Sequence, residues 1–162
     1  MIKEKILKIL NKQINEEFYS SYLYLSMSNY FSLVNLNGFA KWMRVQSLEE
    51  YAHAMKIYDY ILQRDGKVTL SKIETPKAVW KSPLEIFQET LEHEKYISTC
   101  VDNIVNLAIQ EKDHATTQFF QWFVSEQVEE EANAINIVEK MKMLGDNKNG
   151  IFMLDRELGQ RQ

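Results

Sequence analysis

The sequence predicts an all-α protein, built as a bundle of four long helices. Five glycines and two prolines punctuate it, and none of them falls inside a long segment of helical periodicity. Strand-type runs are nearly absent, because "KVTL" is the sole candidate and is too short to form a sheet. Four segments carry the helical pattern, at about 3–35, 39–65, 83–111 and 113–144.

Length and composition narrow the class of protein. A chain of 162 residues suits one domain over 1–162, with the bundle at about 3–144. The net charge of −4, without a local cluster of Lys and Arg, argues against binding to nucleic acid. No run of about 18 apolar residues could span a membrane, and the charged start lacks the apolar core of a signal peptide. The single Cys100 excludes an internal disulfide and a thiolate metal site. We therefore expect a cytoplasmic protein without a membrane partner.

Capping residues mark the ends of the predicted helices. Gly66 and Gly145 stand where a helix C-terminus favours a left-handed residue. Ser82 is suited to cap the third helix, because Pro83 follows it at the first helical position. Asp113 can start the fourth helix after a very short break.

The connection at 66–82 predicts the topology. It contains about 17 residues and can extend over roughly 55 Å, whereas a 27-residue helix is only about 40 Å long. It can therefore return along the whole bundle and make helices two and three parallel. The other two joints are short and require antiparallel hairpins. The result is a four-helix bundle with one long crossover between helices two and three.

Each predicted helix carries a carboxylate within its apolar stripe. The stripes follow the spacing i, i+3, i+4 and i+7 that places side chains on one helix face. On helices one to four they are Ile6, Leu10, Gln13, Glu17, Ser21, Tyr24 and Phe31; Trp42, Gln46, Glu50, His53, Ile57 and Tyr60; Phe87, Leu91, Glu94, Ser98, Val101, Val105 and Ala108; and Phe120, Phe123, Gln127, Glu130, Ala134, Ile137 and Met141.

These acids predict a metal site. Counting residues from the helix joints places Glu50, Glu94 and Glu130 at one height, with Glu17 about a turn and a half away. No Lys or Arg occupies a stripe position, so buried carboxylates would need another cation. Carboxylates with one imidazole, from His53, favour iron or manganese. By contrast, Glu131 is expected on a solvated face, His93 and His114 at the surface or as helix caps, and Cys100 as a small core residue.

The motifs together resemble the bacterial non-haem ferritins, over essentially all 162 residues. Ferritin-like bundles combine a Glu from each of two helices with Glu-x-x-His from the other two. Here Glu17 and Glu94 match the lone acids, and "EEYAH" matches one Glu-x-x-His. "SEQVEEE" also matches that branch, as do two aromatic residues near its site. The matching positions of these last motifs are Glu126, Gln127, Glu129 and Glu130, with Tyr24 and Trp122 as the aromatic pair.

The resemblance implies an iron-storage protein that oxidises Fe(II) at a di-iron ferroxidase centre, using dioxygen or hydrogen peroxide. Glu50 would bridge the two irons, with Glu17 and His53 on the first and Glu94 and Glu130 on the second. The resemblance also implies that Gln127 contacts bound oxygen or water, and that Tyr24 donates a hydrogen bond and can supply an electron. A third, outer iron site would be formed by Glu49, Glu126 and Glu129.

One departure from the symmetric template bears on function. Helix four has Gln127-x-x-Glu130 where a symmetric centre has Glu-x-x-His, which should weaken the second metal position. A weak second position suits a protein that passes iron onward. Two alternatives stay open at this stage: a di-iron oxidase or oxygenase with another substrate, and a helical interaction protein that binds metal incidentally.

The last segment, about 149–158, predicts a short fifth helix and an assembly. Its apolar residues, in "GIFMLDREL", either pack on the same bundle or need another subunit. In the resembled family the fifth helix lies near the four-fold axes of a hollow shell, so we expect a homo-oligomer of 24 subunits. We expect no haem, because Ala52 stands near the position of the haem-binding Met of the bacterioferritins and Met55 lies elsewhere.

Overall fold

The computed structural model describes all 162 residues, and the chain forms five helices and no strand. This confirms the predicted all-α class and the predicted order of elements. None of the helices combines the length and the apolar character needed to cross a bilayer. The helices are α1 (Glu4–Leu33), α2 (Asn37–Gln63), α3 (Pro83–Gln110), α4 (His114–Leu144) and α5 (Lys148–Leu158).

The predicted caps are confirmed at the starts of α3 and α4. The Ser82 hydroxyl accepts the Glu85 N–H at 3.2 Å, and Asp113 accepts the Thr116 N–H at 3.0 Å. The expectation that Gly66 is the left-handed residue after α2 is wrong. Asp65 takes that conformation instead, with φ of 55°, because its short polar side chain tolerates it.

The crossover returns along α1, which sets the direction of α3. Asn11 accepts the Thr69 N–H at 2.7 Å, and the Asn15 amide donates to the Lys72 carbonyl at 3.1 Å. Farther along α1, Ser26 donates to the carbonyl of Lys77 at 2.7 Å. Residues 67–77 thus run in the direction of α1 and opposite to α2. Helix α3 therefore begins at the end of the bundle where α2 begins, and the two are parallel as predicted.

The core consists of two apolar clusters with a polar layer between them. One cluster of 16 buried residues gathers the beginnings of α2 and α3, with Phe31, Phe39 and Phe87 among them. The other, of 14, gathers the opposite end of the bundle around Leu10 and Phe120. The polar layer is buried too, and it contains Glu17, Ser20, Gln46, Ser47, Glu50, His53, Thr90, Glu94, Gln127 and Glu130. Every helix of the bundle therefore contributes an acid to one shared interior level.

The predicted stripes of α2 and α4 are confirmed at every position, and that of α3 is partly wrong. Leu91, Ser98 and Val105 are only half-buried. The residues that α3 buries in their place each lie one position earlier: Thr90, Ile97 and Ile104. The stripe of α3 is thus rotated by about 100° at these positions. On α1, Ser21 is likewise only half-buried, while the other stripe positions are buried.

Helix α5 packs on the start of α2 within the same chain. Leu154 and Leu158 are buried in the first apolar cluster, and Asp155 Oδ1 accepts the Phe39 N–H at 3.0 Å. The carboxylate at the N-terminus of α2 also complements the dipole of that helix. Of the two alternatives for this segment, packing on the same bundle therefore holds for the two leucines. Phe152, 75% exposed, remains without cover.

Candidate metal centre

Glu17, Glu50 and His53 converge at the middle of the bundle. All three are buried, and one ligand atom from each lies within 4.8 Å of the others. The spacing Glu50-x-x-His53 places both side chains on the inner face of α2. His53 Nδ1 lies 3.2 Å from Glu50 Oε2. Bonds from a metal to carboxylate or imidazole are about 2.0–2.2 Å long, so one cation between these atoms is geometrically reasonable.

A second group shares His53 with the first. It comprises His53, Glu126 and Glu130, again with ligand atoms within 4.8 Å of one another. Glu130 is buried on the inner face of α4, and Glu126, one turn earlier, is half-buried. The structure thus brings four of the predicted site residues on α2 and α4 together at one level. It also places Glu126 closer to the buried centre than its predicted role in an outer site required.

Two glutamines that were not predicted as site residues hold the acids in place. Gln13 Nε2 donates to Glu17 Oε1 at 2.8 Å. Gln46 Nε2 donates to Glu50 Oε1 at 3.0 Å and to Glu130 Oε2 at 2.8 Å, so it joins α2 to α4. Both glutamines precede a site glutamate by four residues, the spacing at which helix side chains meet. That spacing was the signal that could have identified them.

Glu94 is held by two hydrogen-bond donors and belongs to neither of the two groups of ligand atoms that include His53. The Tyr24 hydroxyl donates to Glu94 Oε1 in a short hydrogen bond. Gln127 Nε2 donates to Glu94 Oε2 at 3.1 Å and to the Glu94 backbone carbonyl at 3.2 Å. Because both partners of this amide are acceptors, its nitrogen faces Glu94. The resemblance implied a hydrogen bond from Tyr24 near the centre, and its hydroxyl donates one to Glu94, while its role in oxidation stays a prediction.

Burial makes these carboxylates reluctant to ionise. It raises the pKa of Glu94 to about 6 and that of Glu130 to about 7, and the neighbouring Glu94 raises the latter further. The pKa values of Glu17 and Glu50 are raised well above their ordinary range, first by burial and then by neighbouring acids. Burial and the nearby Glu94 also raise the pKa of the Tyr24 phenol.

The donor set fits a cation. None of the four buried glutamates forms an ion pair with Lys or Arg, since His53 is the only basic partner within 4.0 Å. Two buried oxygens, Glu17 Oε2 and Gln46 Oε1, have no hydrogen-bond partner. A buried acceptor without a partner costs free energy that a bound cation would recover. All-oxygen ligands with one imidazole suit iron or manganese.

The outer acids are arranged differently from the predicted third site. Glu49 is half-buried, and its carboxylate forms an ion pair with Arg161. Burial raises the pKa of Glu49, and Arg161 opposes that rise, while Glu126 and Glu129 add to it. Glu129 is exposed. The three acids are therefore close enough to repel one another, but a side chain of the same chain already neutralises Glu49. The sequence pattern gave no sign of Arg161.

Three residues expected at the surface show mixed outcomes. Glu131 is half-buried and accepts the Ser98 hydroxyl at 2.5 Å, so the expectation of a solvated side chain is wrong. His93 is half-buried, bonds to Ser20 at 2.7 Å, and has a pKa lowered by burial to about 4, so that expectation is wrong too. His114 is exposed, as expected.

Trp122, the second aromatic residue of the pair, borders the centre. Its ring packs edge-on against His53, with centroids 5.3 Å apart, and Lys56 Nζ lies 4.2 Å from the Trp122 ring centroid. The indole is 40% exposed. It therefore lies between the buried imidazole and solvent, and it shields one side of the candidate centre.

Sequence comparison identifies the family. The family profile described as the ferritin-like domain matches residues 7–144, which include the four bundle helices except the first three residues of α1, and every residue of the candidate centre. The chain belongs to the ferritin family. This confirms the resemblance inferred from the motifs.

Individual relatives and structures agree with this assignment. A bacterial non-heme ferritin of Bacteroides fragilis is 49% identical over 161 residues, covering 99% of this chain and 100% of the relative. One from Campylobacter jejuni is 38% identical, covering 96% and 93%. Among solved structures, the open pore ferritin of the archaeon Archaeoglobus fulgidus is 49% identical and superposes with a TM-score of 0.99 over the full length of both chains. Such agreement confirms the ferritin fold, including the short fifth helix.

Proposed function

We propose that this ferritin stores iron, and that it oxidises Fe(II) at the buried centre before ferric oxide is deposited inside a 24-subunit shell. The convergence of Glu17, Glu50 and His53 is the observation that carries the proposal. These side chains are buried without a Lys or Arg partner, and one of their oxygens lacks any hydrogen bond. A site of this kind is poorly suited to remain without a cation.

In the proposed reaction the iron is the substrate. Glu17 and His53 bind one Fe(II), Glu130 and Glu94 bind the other, and Glu50 lies between them. Two Fe(II) ions give up two electrons, which reduce dioxygen with two protons to hydrogen peroxide, or hydrogen peroxide with two protons to water. Because the pKa of Glu130 is raised to about 7 and those of Glu17 and Glu50 are raised well above their ordinary range, metal binding releases protons from this centre at neutral pH.

Residues around the iron positions have supporting roles in this proposal. Tyr24 orients Glu94 through its hydroxyl and can supply an electron. Gln127 keeps its amide nitrogen on Glu94, which leaves its oxygen for bound water or oxidant. Trp122 covers His53. Glu49, Glu126 and Glu129 form an outer site through which iron leaves toward the mineral.

The assembly is part of the proposal and rests on two observations. Solved structures that match over the whole chain include ferritins, and one is described as an open pore ferritin. In the present chain, Phe152 and Met153 on α5 are 75% and 74% exposed, an apolar surface that a further subunit would cover. We expect a closed shell of 24 copies without haem.

An aerobic iron titration tests storage. Fe(II) added in small increments should continue to be oxidised rapidly and stay soluble far beyond about two ions per chain. Electron microscopy of the product should show dense cores inside hollow particles. A di-iron oxidase acting on another substrate would bind about two irons and let the excess precipitate. A protein that binds metal incidentally would not accelerate oxidation at all. Either result would contradict the proposal.

Light scattering tests the shell independently of the chemistry. The purified protein should have the mass of a 24-subunit particle under mild conditions. Phe152→Ser removes the exposed aromatic ring and should weaken assembly, whereas Gln118→Ser, on the exposed surface of α4, should not. A stable monomer or dimer of the unmodified chain would contradict the assembly while leaving the oxidation reaction open to its own test.

A further inference from the structure

A cleft of about 360 Å³ opens between α3 and α4. Its walls are largely apolar, because Val101, Val124, Val128 and Ile135 are among the residues that line them. Val128 is 69% exposed, so the cleft is open to solvent. A water molecule takes about 30 Å³ in the liquid, so the cleft has room for several molecules of that size. Small solutes can therefore enter it from solvent.

The polar residues of this cleft connect it to the candidate centre. Gln127 is buried, lines the cleft, and donates to Glu94 Oε2 at 3.1 Å. Its Nε2 also lies 3.4 Å from the hydroxyl of Ser98, which in turn donates to Glu131. All side-chain hydrogen bonds between α3 and α4 involve Ser98 or Gln127. Asp102, the other acid of the lining, is exposed. A solute in the cleft is thus one side chain, that of Gln127, away from Glu94.

The other side of α4 has a different chemical character. Glu126 lies two residues before Val128, about 200° around the helix, and its carboxylate is grouped with His53 and Glu130. A metal ion that gives up hydration water needs such ligands, and an apolar wall offers it none. Dioxygen is uncharged and apolar, so its transfer from water to apolar surroundings is favourable. The two sides of α4 therefore suit the two reactants of the proposed function.

We propose that the cleft between α3 and α4 is the entry of dioxygen to the candidate centre, and that Ser98 and Gln127 form its inner end. This inference rests on the proposed function, since it gives the route of one oxidant. Hydrogen peroxide has two O–H donors that bond to water, so an apolar wall gives it no advantage. The cleft therefore favours dioxygen over peroxide, while metal ions reach the centre from the side of Glu126.

Xenon tests the cleft without any iron chemistry. Like dioxygen it is small and apolar, and it occupies apolar cavities in proteins. A crystal of the assembled, metal-free protein under xenon pressure should show the atom beside Val101, Val124 and Val128. Val128→Trp fills the cleft and should abolish this occupancy, whereas Asn136→Trp, at an exposed position of α4 outside the cleft, should retain it. If the unmodified protein binds no xenon there, for example because another subunit covers the cleft, the inference is wrong.

The rate of Fe(II) oxidation at different dioxygen concentrations tests the route. In Val128→Trp, the dioxygen concentration that gives half the maximal rate should rise at least about tenfold, the smallest effect typical of a mismatch in an apolar pocket. The maximal rate should change little, because the ligands of the centre are intact. Asn136→Trp should match the unmodified protein. Val124→Ala widens the cleft by two methyl groups and should lower that concentration, which keeps the test available if Val128→Trp fails to fold.

Hydrogen peroxide and zinc(II) show whether the centre itself is intact. Anaerobic oxidation of Fe(II) by peroxide, and the affinity for zinc, should be the same in Val128→Trp and the unmodified protein. If peroxide oxidation slows as much as dioxygen oxidation, or if neither cleft variant changes the half-maximal dioxygen concentration, dioxygen does not enter here and the proposed function stands. If the unmodified protein does not accelerate Fe(II) oxidation at all, the proposed function fails, and this inference fails with it.

Discussion

The two halves of the candidate centre differ in how free their ligands are. In the half built by α1 and α2, Glu17, Glu50 and His53 converge within 4.8 Å, and Glu17 keeps one oxygen without a partner. In the half built by α3 and α4, Glu94 accepts hydrogen bonds from Tyr24 and from Gln127. Gln13 and Gln46 also donate to the acids of the first half, but Glu17 keeps one oxygen free for a cation, whereas neutral donors occupy both oxygens of Glu94.

In the proposed centre this difference would give the two iron positions unequal strength. A cation entering the second half must take Glu94 from donors whose hydrogen bonds to a charged oxygen contribute about 1.5–3 kcal/mol. It also finds an amide, Gln127, where an imidazole would bind it more strongly. A weaker second position releases its ion more readily. Under the proposed function, unequal positions would favour passage of iron over its retention.

The largest effect on Fe(II) oxidation is expected from a substitution of Glu50, because Glu50 is the one acid close to both halves. Glu50→Gln keeps the shape of the side chain but removes its charge, so both positions should lose affinity. The fast phase of Fe(II) oxidation should slow by at least about a hundredfold, more than the 10–100-fold typical of outer-shell changes. Stopped-flow absorbance measures this rate.

Glu92→Gln is the matched control, since Glu92 is exposed on α3 and pairs only with Lys95. Its oxidation rate should equal that of the unmodified protein. If Glu50→Gln is as fast as Glu92→Gln, the two halves do not share a ligand and the comparison fails.

The second largest effect should be on the pH dependence of the free energy of unfolding. It comes from Glu130, which α4 contributes to the second half. Burial raises the pKa of Glu130 from its ordinary 4.5 to about 7 in the folded chain. Between these values the folded state binds more protons than the unfolded state, so the free energy of unfolding falls as pH rises. The loss of stability from Glu130 should be about 3 kcal/mol. This loss of stability should be complete above about pH 7 and absent below about pH 4.5.

Denaturation midpoints of the metal-free protein, measured at about pH 5 and about pH 7.5, test this sign. Glu130→Gln cannot titrate, so its midpoint should depend less on pH than that of the unmodified protein. Zinc(II) added at the higher pH should restore stability, because it compensates the ionised carboxylates. A midpoint that rises equally with pH in both proteins would show that burial does not control Glu130.

Much of the fold and part of this centre could be predicted from local sequence patterns. Periodicity and spacing suffice for the inward faces of α2 and α4, because Glu50 and His53 share a turn and need only the helix to meet. The crossover was also predictable, since its length permits one return along the bundle. Such features depend only on short stretches of chain and on the distance that a connection of given length can span.

The remaining features depend on how helices rotate and approach one another. Helix α3 buries Ile97 where the stripe had placed Ser98, and the half-buried hydroxyl of Ser98 bonds to Glu131. Arg161 meets Glu49 across 112 positions of sequence. No local pattern encodes such a contact, because it depends on the packing of α5 against α2. Sequence reasoning therefore missed the partners of the site acids more often than the acids themselves.

The third prediction separates the two halves by affinity. Anaerobic titration with zinc(II), followed by calorimetry, should show two steps, with the first position about tenfold tighter, as expected from the hydrogen bonds that Glu94 must give up. Glu17→Gln should remove the tighter step, and Glu130→Gln the weaker one. If both variants reduce the same step, the two halves form one site and do not differ in their affinity for zinc.

The smallest effect should come from the two glutamines that position the acids. Gln13 contacts Glu17 alone, whereas Gln46 donates to both Glu50 and Glu130 and so connects the halves. Gln13 donates to Glu17 Oε1 and leaves Oε2 for the ion, unlike the two donors that occupy both oxygens of Glu94, so it positions Glu17 without competing with the metal. Gln13→Leu should therefore weaken the first zinc step by about fivefold, the loss of one net hydrogen bond, and leave the second step unchanged. Gln46→Leu should weaken both steps by a similar factor, because each half loses a donor. Leucine is similar in size to glutamine, so packing changes are small and each variant serves as the control for the other. Equal effects of the two variants on the second step would mean that Gln46 does not connect the halves. In that case the unequal positions would have to arise from Gln127 and Tyr24 alone.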